Sequence, residues 1–324
     1  MVLGGVKSGS ELVWDALRVL RHYPKFLLPI GGVWVVIAGV TIWQRFFFDA
    51  TGKSTPYLLG VAFLSILVFA VLLVLCCAIQ LEMIQQIERH GSEPSLRAAA
   101  RATLGSRVLS LLGLAFIWSV VWFVLTVIQA LLEDDDPGSQ EYSPEAAVET
   151  LAGGDRSLVG LSIDALKKGI RMLVFLVLPA IVWEKRGLRD SLHRGYEVFR
   201  SNVVAFATGF TLTMLVTLVV FLPAGVVLYL TDAGLLQLSP TQWYLVLLYV
   251  GFTWSVSIYL EQLFTADLFL WHVEWEQAVA AAREAGEPEP ELRDVPRPSL
   301  LDDVSSLSER KLPGGDSAPL VEEG

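Results

Sequence analysis

Four carboxylates stand at or near the ends of apolar runs in this 324-residue chain: Glu82, two residues after Gln80, then Glu184, Glu261 and Asp267. An acid at membrane depth is costly and usually faces a bundle interior or a wet cavity. Together, Glu82, Glu184, Glu261 and Asp267 are therefore the candidate lining of a cytoplasm-facing polar pocket, with coupling to protons or cations as its chemistry. The competing reading sets them at the water boundary beside aromatic anchors, with Glu261 about one turn past its apolar stretch on a helix that continues through Trp271 and Trp275. The four histidines, His22, His90, His193 and His272, lie far apart in sequence and are expected to be solvated or to face headgroups. Cys76 and Cys77 are adjacent in an apolar run, where helical neighbours cannot reach disulfide geometry, and read as small packing residues. The chain has no G-x-S-x-G elbow, no phosphate-binding glycine loop with lysine, no H-E-x-x-H and no C-x-x-C. No catalytic residue, metal ligand or cofactor is expected, and the chain reads as a non-enzyme.

These residues must be positioned by an all-α membrane bundle. Hydrophobic residues make up 53% of the chain and mean hydropathy is +0.54, above the apolar share of about 45 to 50% usual in soluble domains. About 20 apolar residues cross the hydrocarbon core, and runs near that length fall at 26–48, 57–81, 108–132, 170–183, 203–230 and 243–260. They predict six transmembrane helices. The fourth is short, with Lys167, Lys168 and Arg171 at its edge free to snorkel, and a re-entrant segment is its rival. The first run begins too late and is too long for a removable signal.

Basic residues fix the expected orientation, since Lys and Arg in short loops are retained in the cytoplasm. Four precede the first span (Lys7, Arg18, Arg21, Lys25), four lie between the second and third (Arg89, Arg97, Arg101, Arg107), and five lie between the fourth and fifth (Lys185, Arg186, Arg189, Arg194, Arg200). With five more in the tail, 18 fall on one side and six on the other, so both termini are expected in the cytoplasm of a multi-pass cell-membrane protein. Each cytoplasmic basic stretch has helical periodicity: Val13, Ala16, Leu17 and Leu20; then Leu96, Ala100, Leu104 and Val108; then Leu188, Leu192, Tyr196 and Phe199. Such a helix lies in the headgroup plane, with Arg18, Arg97, Arg101, Arg189 and Arg194 as its membrane-surface basic residues. Anionic headgroups of the bilayer are the implied partner, and nucleic acid is not.

A repeat underlies this pattern. Glu88, Gly91, Ser95, Leu96 and Gly113 recur 96 residues later as Glu184, Gly187, Ser191, Leu192 and Gly209, with a shorter echo at Asp15-Ala-Leu-Arg18. The expected unit is an interfacial amphipathic helix followed by a two-span hairpin, used three times in parallel orientation. Around 176–204 the sequence Leu178-Pro179-Ala-Ile-Val-Trp-Glu184, with Gly187, Asp190-Ser-Leu192, Arg194, Tyr196 and Asn202, resembles a broad group of prokaryotic multi-pass membrane proteins, including domains of unknown function common in halophilic archaea. It also looks like the membrane domain found beside some glycerophosphoryl diester phosphodiesterases. The likeness extends loosely over residues 1–275 and implies a membrane bundle, but that group defines no catalytic residue to carry over.

The formal charge of −10 is concentrated outside the spans. Residues 133–168 hold nine acids and form an acidic outer loop, whose Glu133-Asp-Asp-Asp136 run lacks the alternating ligands and glycine of a calcium loop. Residues 1–283 are read as the integral membrane domain. The proline-rich, acidic segment 284–324 has too little apolar surface to offset ordering entropy and is expected to be a disordered cytoplasmic tail. Within it, Leu300, Leu301, Val304 and Leu307 give an amphipathic spacing suited to a protein partner or to a homo-oligomer. The sequence favours a membrane organiser or the membrane subunit of an assembly, on the expectation of few buried polar groups along the helices. A small-molecule or lipid transporter is the alternative, and a lipid-acting membrane enzyme ranks third.

Overall fold

A computed structural model describes residues 23–46, 53–90, 94–105, 107–132 and 158–296. Every regular element in them is helical: α1 Leu27–Phe46, α2 Thr55–His90, α3 Leu96–Thr103, α4 Val108–Leu132, α5 Leu158–Val182, α6 Leu188–Ser201, α7 Val203–Asp232 and α8 Pro240–Ala285, with 3-10 turns at Pro24–Phe26 and Leu292–Asp294. Four of them, α2, α4, α7 and α8, are long and apolar enough to cross a membrane.

Side-chain contacts give the helix directions. Between α2 and α4, Phe63 meets Phe123 and Glu82 meets Arg107 at the start of α4; between α4 and α5, Trp118 meets Phe175 and Gln129 meets Lys167; between α7 and α8, Gly209 lies under Phe264 and Val220 O accepts from Tyr249 Oη. Successive long helices are therefore antiparallel. Trp183, just past α5, meets Phe269 on α8, and Arg171 meets Glu261, so α5 and α8 run parallel. Helix α8 is the hub, packing on α1, α2, α5, α6 and α7.

Helix α8 starts with a capping box, in which Ser239 Oγ accepts from Gln242 N–H and Gln242 Oε1 accepts from Ser239 N–H, with Pro240 in the first turn. It ends at Gly286, which turns left-handed with φ 70°. Its 46 residues span about 69 Å, more than twice the hydrocarbon thickness of about 30 Å. Tight crossings hold the bundle where glycine lets a neighbour reach the backbone: a Cβ on Gly209 would overlap the Phe264 ring, one on Gly251 would overlap Trp34, and one on Gly195 would sit 2.6 Å from Val177 Cγ2. In lipid, where tails are as apolar as leucine, such close packing replaces the hydrophobic drive.

The sequence expectations need three corrections. The fourth apolar run, expected over 170–183, is the second half of a 25-residue helix; Asp164, Lys167, Lys168 and Arg171 lower the local hydropathy without breaking the helix. The tail expected to be disordered from residue 284 begins with ordered chain: Gly286 reverses direction, Trp275 Nε1 donates to Pro290 O at 3.0 Å, Trp271 Nε1 donates to Val295 O at 3.3 Å, and Val295 is buried. Segment 286–296 thus folds back along α8 as a strap. The expected dry interior is also overturned, because Thr253, Ser255, Ser257, Glu261, Gln262, Thr265, Asp267 and His272, all on α8, are buried. Two of the three amphipathic stretches form short helices, α3 and α6; the first, with Arg18, lies outside the described residues, as do most of the acidic loop and the tail beyond 296.

Candidate functional site: a charged cluster inside the bundle

Helix α8 carries Glu261 on the face turned toward α5 and α7. Its carboxylate is 0% exposed. One turn earlier on the same face, Ser257 Oγ donates to Glu261 Oε1 at 3.3 Å and shares a 2.7 Å hydrogen bond with Thr217 Oγ1 of α7. From α5, Arg171 lays its guanidinium fork on the carboxylate: Nε donates to Oε2 at 2.7 Å and Nη2 to Oε1 at 2.9 Å. Lys168, one turn before Arg171, brings Nζ to 3.4 Å from Oε1. The side chains of Arg171 and Lys168 are 8% and 13% exposed.

Aromatic rings complete the surroundings. Arg171 lies over the Trp254 ring at 5.8 Å and Lys168 over Phe210 at 5.1 Å, contacts that stabilise a desolvated cation. Cys77 of α2 is buried within electrostatic reach of Arg171 and Glu261. The depth of the site follows from helical rise. Phe269, level with Trp183, is eight residues beyond Glu261, which places the carboxylate about 12 Å from that level along α8.

A second cluster occupies the end of the bundle where α6 lies. Arg194 of α6 is 5% exposed and pairs bidentately with Glu276 of α8, Nη1 to Oε1 at 2.6 Å and Nη2 to Oε2 at 2.5 Å. Its Nε is 3.4 Å from Glu184 Oε1, and its Nη1 is 3.6 Å from Glu197. Burial alone would favour the neutral form of Arg194; its bonds to Glu276 and the charges of Glu184, Glu276 and Glu197 outweigh that and hold the guanidinium above its ordinary range. His272 joins the group, with Nε2 at 3.2 Å from Glu276 and Nδ1 at 3.2 Å from Asn202 Nδ2. Asn202 Nδ2 therefore donates to Nδ1 and the Nε2 proton faces Glu276.

A third contact set ties α2 to the start of α4 and the end of α5. Arg107 reaches Glu82 at 3.6 Å and donates to Val182 O, while Trp183 Nε1 donates to Leu81 O at 3.2 Å. Val182 ends α5, where carbonyls without an intrahelical partner need such an outside donor.

The four candidate pocket carboxylates are thus distributed. Glu82 pairs with Arg107, Glu184 with Arg186 at 2.5 Å and with Arg194, and Glu261 with Arg171 and Lys168. Asp267 is buried on α8. Glu184 and Arg194 share one cluster, and Glu261 belongs to another. Of the basic residues expected at the membrane surface, Arg97, Arg101 and Arg189 are exposed, whereas Arg194 is turned inward, because the buried face of α6 is Ser191, Arg194, Gly195 and Val198. Small Ser191 and Gly195 let α6 lie flat on α5, where Gly195 meets the Val177 backbone, and this rotates Arg194 onto Glu276. His193 remains 74% exposed as expected, but His272 is buried.

Sequence reading missed the role of Lys168 and Arg171, placing them at the outer edge of a short span. The signal that finds them is their spacing of three on a helix, which sets both on one face. Among the described residues no three His, Cys, Asp or Glu side chains gather as a metal site requires. Comparison with protein-family models, curated proteins and solved structures returns no match.

Proposed function

We propose that this protein is a six-span integral membrane protein with both termini in the cytoplasm, which couples proton movement to passage of a small solute through the site on α8. One observation carries the reading: Glu261 is fully buried inside the bundle and shared by two cations, Arg171 and Lys168. Burying ions is expensive, and replacing such groups by apolar residues is often neutral or stabilising. Ionisable residues are therefore rare at membrane depth, and where they occur they mark ion and substrate pathways. The buried polar residues of α8, from Thr253 to His272, supply hydrogen-bonding groups along the same helix.

The remaining two helices extend the four-span count to six. α1 is a 20-residue apolar helix, and the charges on α5 are turned to partners within the bundle, Lys168 and Arg171 to Glu261 and Lys167 Nζ to Gln129 Oε1 at 2.6 Å. An even number of crossings fits the alternating helix directions, and the basic side chains of Arg97, Arg101 and Arg189 then meet anionic headgroups on the cytoplasmic side. The parallel repeat, resting on the matches at a 96-residue offset, and kinship with the prokaryotic multi-pass group, resting on the pattern around 176–204, belong to the same proposal.

A second reading, a membrane organiser or assembly subunit, is favoured by the closure of the charged cluster on itself: both Glu261 oxygens already have partners. Flux separates the two. The full chain is reconstituted into vesicles holding a pH-sensitive dye, and proton entry is followed after a pH step with small anionic, cationic and neutral solutes supplied outside, each in turn. The transport reading expects entry above that of empty vesicles, reduced about a hundredfold or more by Glu261→Gln, the order of loss for a lost proton-transfer group. Entry equal to that of empty vesicles at every imposed gradient assigns the cluster to the second reading.

A further inference from the structure

The charged cluster has more positive than negative groups. Arg171 and Lys168 converge on the single carboxylate of Glu261. Among the described residues, those that neighbour the carboxylate besides the two cations are Cys77 of α2, Thr217 of α7 and Ser257 on its own helix, and none of these is a second acid.

The form of the ion pair indicates what else the cations could hold. The Arg171 fork binds both oxygens of a carboxylate, at 2.7 and 2.9 Å, the bidentate pairing that makes arginine selective for carboxylate. Lys168 adds a movable ammonium on one of the two oxygens, and the Trp254 and Phe210 rings beneath the cations give an apolar floor. When Glu261 takes up a proton it becomes neutral, and two buried cations are left without a counter-charge, an arrangement that strongly favours an incoming anion.

We propose that the cluster is a binding site for a small monocarboxylate anion, which replaces the Glu261 carboxylate on Arg171 and Lys168 when Glu261 is protonated. This rests on the transport reading above and adds to it a substrate class and a stoichiometry. One proton is bound on Glu261 and one carboxylate on the Arg171 fork, so the loaded cluster has the same net charge as the empty one. Proton and anion would then move together without net charge transfer at the site. Ser257, hydrogen-bonded to Oε1 and to Thr217, keeps a partner for the protonated acid as it swings off the guanidinium.

The test uses the purified full chain in detergent with lactate as the probe and chloride at equal ionic strength as the control, read by titration calorimetry and by the shift in unfolding temperature. Glu261→Gln mimics the protonated acid. Wild type is expected to bind lactate more tightly as pH falls, and Glu261→Gln to bind it at neutral pH at least about tenfold more tightly than wild type, with little dependence on pH. The double variant Arg171→Gln with Glu261→Gln removes the ion pair without stranding both cations, and is expected to lose the lactate effect. If Glu261→Gln is too unstable to titrate, stabilisation by lactate and not by chloride during purification is the same readout. Lactate binding that is equal in wild type and Glu261→Gln, or retained in the double variant, overturns the proposal, as does equal stabilisation by chloride. Lactate binding without proton flux in vesicles would sink the transport reading while leaving the site; flux without lactate binding sinks the substrate class alone.

Discussion

Arg171 and Glu261, ninety residues apart, meet through two hydrogen bonds on parallel helices, with the carboxylate 0% exposed. Removing the acid alone leaves Arg171 and Lys168 buried together. Glu261→Gln is therefore expected to destabilise the fold by about 3 to 5 kcal/mol, and the Arg171→Gln/Glu261→Gln double variant by less than the sum of the single changes. Unfolding in detergent across the double-mutant cycle measures this. Strict additivity would mean that the pair contributes no coupling.

Arg194 offers a parallel experiment at the other cluster. It is gripped by Glu276 and flanked by Glu184, so Arg194→Lys, which keeps the charge but loses the fork, is expected to cost stability while Arg189→Lys at an exposed position costs almost none. A thermal unfolding comparison of the two decides it. Equal midpoints would show that α6 is held by its apolar contacts alone.

Lys185 closes α5 with φ 58°, a left-handed conformation that favours glycine, and Arg186 N–H bonds back to Ala180 O. A residue with a Cβ costs about 1 to 2 kcal/mol there. Lys185→Gly is accordingly expected to stabilise the protein by about 1 kcal/mol, less the extra entropy of glycine in the unfolded chain. A lowered unfolding temperature would contradict this.

Gly209 lies under the Phe264 ring, with no room for a Cβ. Gly209→Ala is expected to force α7 from α8 at a cost of about 1 to 3 kcal/mol, typical of overpacking, whereas Gly225→Ala, in open space, should be tolerated. Gly209→Ala with Phe264→Leu should recover part of the loss. Failure of that rescue would argue against the close approach.

The strap is tied to α8 by Trp275 and Trp271 through the carbonyls of Pro290 and Val295. Trp275→Phe removes one donor, a net loss of about 1 kcal/mol, and is expected to speed limited proteolysis within 286–296 without shifting global unfolding. Unchanged cleavage would mean that apolar contacts, such as the one made by Leu292, hold the strap.

Several features were legible in the sequence because they depend on neighbours along the chain. The apolar run lengths determined an all-helical class and located α4, α7, most of α2 and the first part of α8. The amphipathic periodicities located α3 and α6, and the acids at span ends singled out Glu261. Hydropathy failed over α5, since a running average charges each Lys or Arg its full desolvation cost regardless of whether a partner waits inside. The partner of Arg171 lies on a helix ninety residues later, and only packing could show that the cost is offset. The same holds for Arg194, turned inward because Ser191 and Gly195 let α6 lie flat, and for the strap, ordered by two indole donors on a helix it has just left. Local pattern determined which segments are helices; the distances between them, set by glycine contacts and buried ion pairs, decided which charges meet.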